Sequence, residues 1–165
     1  MIDALETTDI VRDACAADIP ALVDMGMQFA NHYPVAAEVD PYALDATIRQ
    51  LIANDDAVVL VVSHQGSDPY AVLVGMEIGL WFAPDTRVAS ELAWWVDPSH
   101  RGGSAGVRLI RAFERWAKAR GIEHVCMSDI QTNDSASAGP LIERQGYQLQ
   151  ERSYIKRVSK DHGSI

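Results

Sequence analysis

The sequence predicts one mixed α/β domain built around an antiparallel meander. Three apolar, β-branched runs joined by short turns occupy the middle of the chain, between residues 57 and 96. Segments with apolar residues at helical spacing lie on both sides of them, at 18–54 and 104–120. The 165 residues make up one domain's worth of chain, and 48% hydrophobic and 22% charged residues is ordinary globular composition.

The first third of the chain is predicted to form a strand and two helices. A short strand includes Ile10-Val11. The tripeptide Asp18-Ile19-Pro20 marks a helix start, because Asp is a preferred N-cap residue and Pro is tolerated in the first turn. Residues 31–40 interrupt the helical pattern, and residues 41–54 resume it as a second helix.

The middle of the chain changes to the strand pattern. We expect strands at 57–63, 70–82 and 88–96, with turns at 65–69 and at Ala83-Pro84-Asp85. Connections this short join antiparallel strands, so the three strands form a meander.

The last part of the chain alternates between the two periods. A helix is predicted from Ser104 to Arg120, ended by Gly121 as its C-terminal cap. It is followed by a strand at 122–128, a short helix at 135–145, and closing strands at 147–150 and 153–158.

Charge and composition exclude several classes of protein. The formal net charge of −9 disfavours binding to nucleic acid and to anionic membranes. The two cysteines, Cys15 and Cys126, are too few for a disulfide framework, and no metal-ligand spacing is present. No apolar run is long enough for a membrane span, and the acidic start lacks the basic region of a secretory signal. We therefore expect a cytoplasmic protein without a metal.

The two halves of the chain differ in charge. Residues 1–90 carry 14 Asp and Glu against 3 Lys and Arg, a net charge of −11. Residues 91–165 carry 9 against 11, a net charge of +2. The first half could attract a cation and the second could hold an anion, although solvated surface charge also explains the difference.

The segment from Val96 to Val107 carries the chemistry. A strand enters it, small residues follow, and a long helix leaves. Small residues let consecutive backbone N–H groups face one ligand, the helix N-terminus adds partial positive charge, and Arg101 adds a full charge. This pattern favours a phosphate or diphosphate site. The loop lacks the lysine of the Walker motif and follows a meander rather than an early βαβ unit, and a plain glycine turn that caps a helix remains the alternative.

The same segment resembles the coenzyme A signature of the GNAT N-acetyltransferases. That signature reads Arg/Gln-x-x-Gly-x-Gly/Ala. An apolar residue that ends a strand stands five positions before the Arg/Gln and is followed by x-Pro. The chain supplies Val96, Pro98, Arg101 and Gly106, and Ser104 stands where the family has its middle glycine. The order of elements from 10 to 158 also agrees, and residues 141–147 resemble the family's closing helix and Gly-Phe/Tyr turn.

The resemblance implies a fold, a cofactor and a set of contacts. The fold is a GNAT-like mixed sheet, an antiparallel meander followed by a splayed parallel strand pair, with helices on both faces. One domain would fill residues 1–165, with its core at about 10–158. The cofactor is acetyl-CoA, held by a set of main-chain and side-chain groups: Trp95, Val96, Arg101, Gly102, Gly103, Ser104, Ala105, Gly106, Val107 and Asn133.

The resemblance also suggests catalytic residues. Glu91, near the place where family members often carry a base, is the first candidate to accept the amine proton, with an exposed strand-end role as its alternative. Glu77, inside an apolar run, is the second candidate. The family's proton-donating tyrosine lies four residues before the Gly-Phe/Tyr glycine, and that position is Ile142 here. Tyr154 is a substitute candidate for the acid.

These features predict an acetyl-CoA-dependent N-acetyltransferase. The acceptor would be a primary amine of a small molecule or a protein, weakly favoured to be cationic, and a homodimer is compatible with the sequence. One alternative is a non-catalytic acyl-CoA-binding module with a degenerate active site, which Ile142 favours. Another is a phosphate-binding regulatory domain without a thioester partner.

Overall fold

In the described part of the chain, five strands form one sheet in the order in which they occur in the sequence, β1-β2-β3-β4-β5. The structure is a computed structural model that describes residues 9–35, 37–130 and 137–158. The strands are β1 (Asp9–Asp13), β2 (Ala57–His64), β3 (Pro69–Leu80), β4 (Ala83–Val96) and β5 (His124–Cys126). The helices are α1 (Ile19–His32), α2 (Pro41–Ala53), α3 (Ala105–Ala119) and α4 (Gly139–Arg144). Short 3-10 turns lie at Ala16–Asp18 and Pro98–His100.

The pairing of the strands confirms the predicted meander and parallel pair. Strands β1 to β4 pair antiparallel, and β5 pairs parallel to β4. The parallel ladder is short, from Val88 opposite His124 to Ser90 opposite Cys126. Strand β4 continues to Val96, whereas its pairing with β5 ends at Ser90. The two strands therefore separate beyond Ser90 and leave a gap in the sheet.

Apolar side chains on alternate residues of the sheet bury both of its faces. On β2, Val59 and Val61 pack with α1 and α2, whereas Leu60 and Val62 pack with α3. A central strand covered on both faces needs a continuous apolar run rather than an alternating one, which is what residues 57–62 supply. The helices thus lie on both faces of the sheet, as the fold class requires.

Close packing of α3 on the sheet depends on one glycine. A Cβ atom at Gly75 of β3 would lie 2.2 Å from Cε2 of Phe113, whose ring is fully buried. The missing side chain therefore lets α3 approach the sheet closely.

A β-bulge in β4 changes which residues face α3. Val74 of β3 lies opposite Ala93, but the next residue, Gly75, lies opposite Glu91, so Leu92 is the extra residue. Before the bulge, Ala89 packs in the α3 cluster; after it, Trp94 does so, five positions later. Because side chains alternate strictly along a regular strand, this change from odd to even positions needs the inserted residue.

Two boundaries of the meander differ from the sequence prediction. The turn between β3 and β4 lies at Trp81-Phe82, and the predicted turn residues Ala83-Pro84-Asp85 instead begin β4. Both turn residues are exposed, and Trp81 is 91% exposed. The predicted strand includes Trp81 and Phe82 because both are apolar, but these residues lie in a turn that exposes their rings.

The closing part of the chain also differs. Residues 147–150 and 153–158 were expected to be strands, but they carry no strand pairing and are largely exposed. Strand β5 is shorter than the predicted 122–128. Alternating apolar residues are compatible with a strand, but a strand also needs a hydrogen-bonded neighbour. The local sequence pattern does not show whether such a neighbour is present.

Asp18 is the N-cap residue of α1, as predicted, but its side chain does not cap that helix. Its carboxylate accepts bonds from Arg12 at 2.6 and 2.8 Å and from the Cys15 amide at 2.8 Å. These bonds hold the pKa of Asp18 at about 2, with the Arg12 hydrogen bond as the largest cause. The residue therefore ties β1 to the start of α1.

No helix within the described residues combines the length and the hydropathy needed to cross a lipid bilayer.

Candidate functional site

A cleft of about 270 Å³ opens where β4 and β5 separate. Its walls come from the end of β4, the loop that follows, the start of α3, the segment after β5, and α4. The helix α1 contributes Phe29 and His32 at one side. The splayed strands thus place the end of the meander, the glycine-rich loop and the last helix around one space.

The loop after β4 is shaped by its own hydrogen bonds. The Asp97 carboxylate accepts a bond from the Ser99 amide at 2.8 Å and another from the Ser99 hydroxyl, and the hydroxyl bond is the main reason why the pKa of Asp97 is lowered. Gly102 adopts a φ of +86°, a left-handed conformation that strains other residues. These features turn the chain from β4 into α3 within a few residues.

The first turn of α3 presents main-chain donors beside this loop. Ser104 is the N-cap residue, and its side chain makes no capping hydrogen bond. The first N–H groups of a helix have no partner within the helix and carry partial positive charge. Gly102, Gly103 and Gly106 lie in the cleft wall at this point. The arrangement therefore suits an anion, as the sequence predicted.

Two tryptophans of β4 line the cleft from opposite faces of the sheet. Trp94 packs with the α3 cluster and Trp95 with the α1–α2 cluster. The Nε1 atoms of both indoles are buried and have no hydrogen-bond partner among the described residues. Buried N–H groups are usually paired, so these two donors point to a ligand that would accept from them.

The side chain of Arg101 folds back over the end of β4. Its Nε donates a hydrogen bond to the Val96 carbonyl at 2.9 Å. Its Cζ lies 4.5 Å from the centre of the Trp95 ring, a cation–π contact. The guanidinium thus borders both the anion-binding loop and the α1 side of the cleft.

Glu91 lies at the point where β4 and β5 part. Its carboxylate is 9% exposed and accepts a hydrogen bond from the Ser128 amide at 3.0 Å, across the gap between the strands. Burial raises the pKa of Glu91 to about 7, although the Ser128 hydrogen bond opposes that shift. A carboxylate with this pKa can take up and release a proton at neutral pH.

Most of the predicted site residues meet at the cleft. Glu91, Trp95, Val96, Arg101, Gly102, Gly103 and Gly106 line it. Ser104, Ala105 and Val107 lie at the N-terminal end of α3 and are not part of the lining. Asn133 lies outside the described residues.

Glu77 and Tyr154 are not brought to the cleft. Glu77 lies in an arginine cluster, with its carboxylate 2.7 Å from Arg120 Nε and 3.1 Å from Arg87 Nε. Its neighbours along the chain are apolar, but arginines from other elements pair with this carboxylate. Tyr154 is 90% exposed in the closing segment, so its hydroxyl has no cleft in which to act.

The last helix presents apolar groups to the cleft. Ala138 and Leu141 line it, and Ile142, at the position of the family's tyrosine, is buried. Asp129 fixes the start of α4 by accepting bonds from the Ser137 hydroxyl at 2.6 Å and the Ala138 amide at 2.8 Å. The described part of α4 therefore places no proton donor in the cleft wall.

The α1 side of the cleft is aromatic. The ring centre of Trp95 lies 6.4 Å from that of Phe29 and 5.0 Å from that of His32. His32 Nδ1 lies 2.8 Å from the Gln28 carbonyl, which can only accept, so Nδ1 is the donor. The other ring nitrogen, Nε2, then carries the lone pair when His32 is neutral. We call Phe29, His32 and Trp95 the aromatic wall.

Sequence reasoning gave no site role to several lining residues. The places of Trp94 and Ser128 in the cleft wall depend on the bulge and on the separation of the strands, which the local sequence does not reveal. Phe29 followed the apolar stripe of α1, a pattern that indicates a core residue just as well. For Trp94, the adjacent tryptophans were a usable signal, since neighbouring residues on a strand face opposite sides.

Comparison with known proteins relates this chain to acetyltransferases. The sequence profile of the acetyltransferase (GNAT) family matches residues 26–147. An acetyl transferase, GW6a, from Oryza sativa subsp. japonica is 41% identical over 64 residues, which are 39% of this chain. The match spans only 15% of that protein's length.

Solved structures share the fold at low identity. A predicted acetyltransferase from Clostridium acetobutylicum, solved with acetyl-CoA, has a TM-score of 0.70 at 18% identity and covers 91% of this chain and 96% of its own. Glucosamine-6-phosphate N-acetyltransferase from Arabidopsis thaliana has a TM-score of 0.71 at 16% identity, with 92% and 99% coverage. An acetyltransferase from Trypanosoma brucei has a TM-score of 0.70 at 19% identity, with 92% and 100% coverage.

The sheet, the cleft and the profile match over more than half of the chain lead to one conclusion: the chain belongs to the acetyltransferase (GNAT) family.

Proposed function

We propose that the protein transfers the acetyl group of acetyl-CoA to a primary amine by direct attack, with Glu91 as the general base. The observation that carries this proposal is the position of Glu91. Its carboxylate is buried where β4 and β5 part, and its pKa is about 7. A base is most effective when its pKa lies near the working pH.

The cleft fits the shape and charge of acetyl-CoA, the cosubstrate of the family. Loop residues Arg101 to Gly103 and the first turn of α3 supply charge and main-chain donors for a diphosphate. On the side away from β3, the described residues place no strand beside the end of β4 from Glu91 to Val96, so main-chain groups on that side can pair with the extended pantetheine arm as an added strand would.

The proposed reaction needs one proton to leave the acceptor before attack. An alkylammonium group has a pKa of about 10, so at neutral pH nearly all of the acceptor is protonated. Glu91 takes that proton, directly or through a water molecule. The amine nitrogen then forms a bond to the acetyl carbon, the carbon–sulfur bond breaks, and the sulfur keeps the electron pair.

The leaving group needs little help. A thiol has a pKa of about 8.5, so a thiolate is a fair leaving group near neutral pH. This matters here because α4 presents Ala138 and Leu141 rather than a tyrosine to the cleft. The attacking nitrogen loses its second proton as the amide forms, the thiolate can take up that proton, and Glu91 releases the first one to solvent.

The acceptor approaches from the aromatic wall, on the face of the sheet that α1 and α2 cover. The acidic first half of the sequence supports a cationic acceptor less strongly than its total charge suggests, because several of its carboxylates are already paired. Asp18 binds Arg12, Asp45 binds Arg49, and Asp9 and Glu77 contact arginines of α3 and its C-terminus. A primary amine on a small molecule or a protein remains the proposed acceptor.

A non-catalytic acyl-CoA-binding module is the second candidate. Ile142 at the tyrosine position favours it, because a lost general acid is one way in which such a site degenerates. A phosphate-binding regulatory domain is a third, which predicts that phosphate competes as well as CoA does.

Release of free thiol from acetyl-CoA tests the proposal. The protein is incubated with acetyl-CoA and a panel of amino sugars, polyamines, amino acids and peptides with free N-termini. We expect thiol release that depends on at least one amine and is strongly reduced in Glu91→Gln. Tight CoA binding without turnover on any amine in a broad panel would favour the binding module.

A further inference from the structure

The indole of Trp94 lies against the first turn of α3. A Cβ atom at Gly106 would be 2.8 Å from Cζ2 of Trp94, 3.5 Å from Cε2 and 3.7 Å from Nε1. The edge of the ring that carries the N–H group therefore faces this glycine. Any side chain at position 106 would push the ring away.

The N–H group of Trp94 is buried without a partner. The Nε1 atom is shielded from solvent and makes no hydrogen bond to any described residue, although Trp94 and Gly106 both line the cleft. Leaving a buried donor unpaired is unfavourable, so native proteins usually pair such groups with protein, water or ligand.

The position of this donor selects one part of the cofactor. Gly106, which the ring contacts, lies in the first turn of α3, where main-chain N–H groups without a partner in the helix and the helix dipole favour an anion. Glu91, which marks the reacting end, lies three residues earlier on β4 and across the bulge at Leu92. Trp94 therefore lies on the diphosphate side of the bulge, on the face of the sheet that α3 covers.

We propose that Trp94 is a cofactor-binding residue whose indole N–H donates a hydrogen bond to the diphosphate of coenzyme A, beside the main-chain donors of α3. The proposal rests on the proposed use of acetyl-CoA. It adds a side-chain donor at a cradle in which Ser104 replaces the family's middle glycine. Gly106 has a second role, because it gives the indole room to reach the anion.

The test compares CoA with pantetheine, which lacks the diphosphate. Dissociation constants are measured by calorimetry for CoA and by competition for pantetheine. Two variants remove the donor: Trp94→Phe, and replacement of Trp94 by benzothienylalanine, in which sulfur takes the place of the N–H group at nearly unchanged shape. Trp116→Phe is the matched control, because Trp116 lies on α3 outside the cleft lining and stacks on Phe113.

We expect both Trp94 variants to bind CoA about tenfold more weakly, the effect of losing one hydrogen bond to a charged group. Their affinity for pantetheine should equal that of the wild type, and Trp116→Phe should bind both ligands normally. The benzothienyl variant isolates the N–H group even where phenylalanine leaves a packing defect.

Two results would overturn the proposal. Undiminished CoA affinity of the benzothienyl variant would show that the N–H group makes no bond to the cofactor. Equal losses for CoA and pantetheine would show that Trp94 acts through packing. Either result leaves wild-type CoA binding and the proposed function standing, whereas a wild type that binds no CoA would remove both.

Discussion

The guanidinium of Arg101 lies 4.5 Å above the Trp95 ring and donates to the Val96 carbonyl at 2.9 Å. The same carbonyl is one of the main-chain acceptors that an added pantetheine strand would use. The Arg101 side chain could therefore adopt two conformations in the proposed complex, one over the Trp95 ring and one beside the diphosphate. We expect binding of the whole cofactor to draw Arg101 to the second position, because a doubly charged anion attracts a guanidinium more strongly than an indole face does.

Arg101→Ala should change the affinities for CoA and for pantetheine differently. We expect CoA affinity to fall at least tenfold, because a charge-assisted bond to the diphosphate is lost. Pantetheine affinity should stay constant or increase, because the Val96 carbonyl is freed. Calorimetry at two salt concentrations measures both, and the loss for CoA should shrink at high salt. Arg111→Ala, an exposed arginine on α3, is the matched control, and parallel losses for both ligands would contradict the two-position account.

The dependence of turnover on pH should identify Glu91 as the base. For the wild type, kcat/KM should rise tenfold per pH unit below about 7 and level off above it, as the carboxylate loses its proton. Glu91→Gln should remove that inflection. The ratio of wild-type to variant rates should fall as pH rises from 7 towards 10, because the amine then loses its own proton without the help of a base. A ratio that is constant from pH 5 to 10 would exclude Glu91 as the base.

The raised pKa of Glu91 also predicts how stability changes with pH. The folded protein binds this proton more tightly than the unfolded chain, whose carboxyl has a pKa near 4.5. The favourable contribution is thus complete below pH 4.5 and is lost as pH rises through 7. We expect the wild type to lose about 3 kcal/mol of unfolding free energy over this interval relative to Glu91→Gln. Urea unfolding of both proteins at pH 5, 6, 7 and 8 measures the difference, and parallel curves would contradict burial of the carboxyl.

The elements that sequence predicted well are those whose pattern reflects local packing. The run at 57–62 is apolar at every position because β2 is covered on both faces, and residues 105–119 show a helical stripe because α3 is covered on one. The glycine-rich loop between β4 and α3 was also predictable, since small residues after a strand pattern and before a helical one indicate a turn into the helix.

The features that sequence missed depend on distant partners. The bulge at Leu92 decides that Trp94 rather than Trp95 faces α3, and it follows from the pairing of β4 with β3. The hydrogen bond to Glu91 comes from Ser128, which is 37 residues away. The neighbours of Glu77 along the chain are apolar, but its neighbours in the fold are arginines from β4 and the end of α3.

Asp18→Asn should destabilise the protein in a way that depends on pH. The lowered pKa of Asp18, about 2, means that its carboxylate stabilises the fold above pH 3.8 and loses that effect as pH falls toward 2. We expect a loss of about 2 kcal/mol in unfolding free energy at pH 7 and almost none near pH 2. Asp45→Asn, which breaks an exposed pair within α2, should change stability only slightly. A pH-independent effect of Asp18→Asn would mean that Arg12 contributes little.

Glu77→Gln should separate structural charge from catalytic charge on the same sheet. Glu77 joins β3 to the C-terminal end of α3 through Arg120 and to β4 through Arg87, and it does not line the cleft. Removing its charge leaves two arginines near each other without their shared partner, so we expect a loss of about 1–2 kcal/mol in unfolding free energy. The pH profile of turnover should keep its inflection near 7, because that inflection belongs to Glu91. Urea unfolding and the pH profile measure the two effects, and a Glu77→Gln variant that loses the inflection while remaining folded would make Glu77 the base.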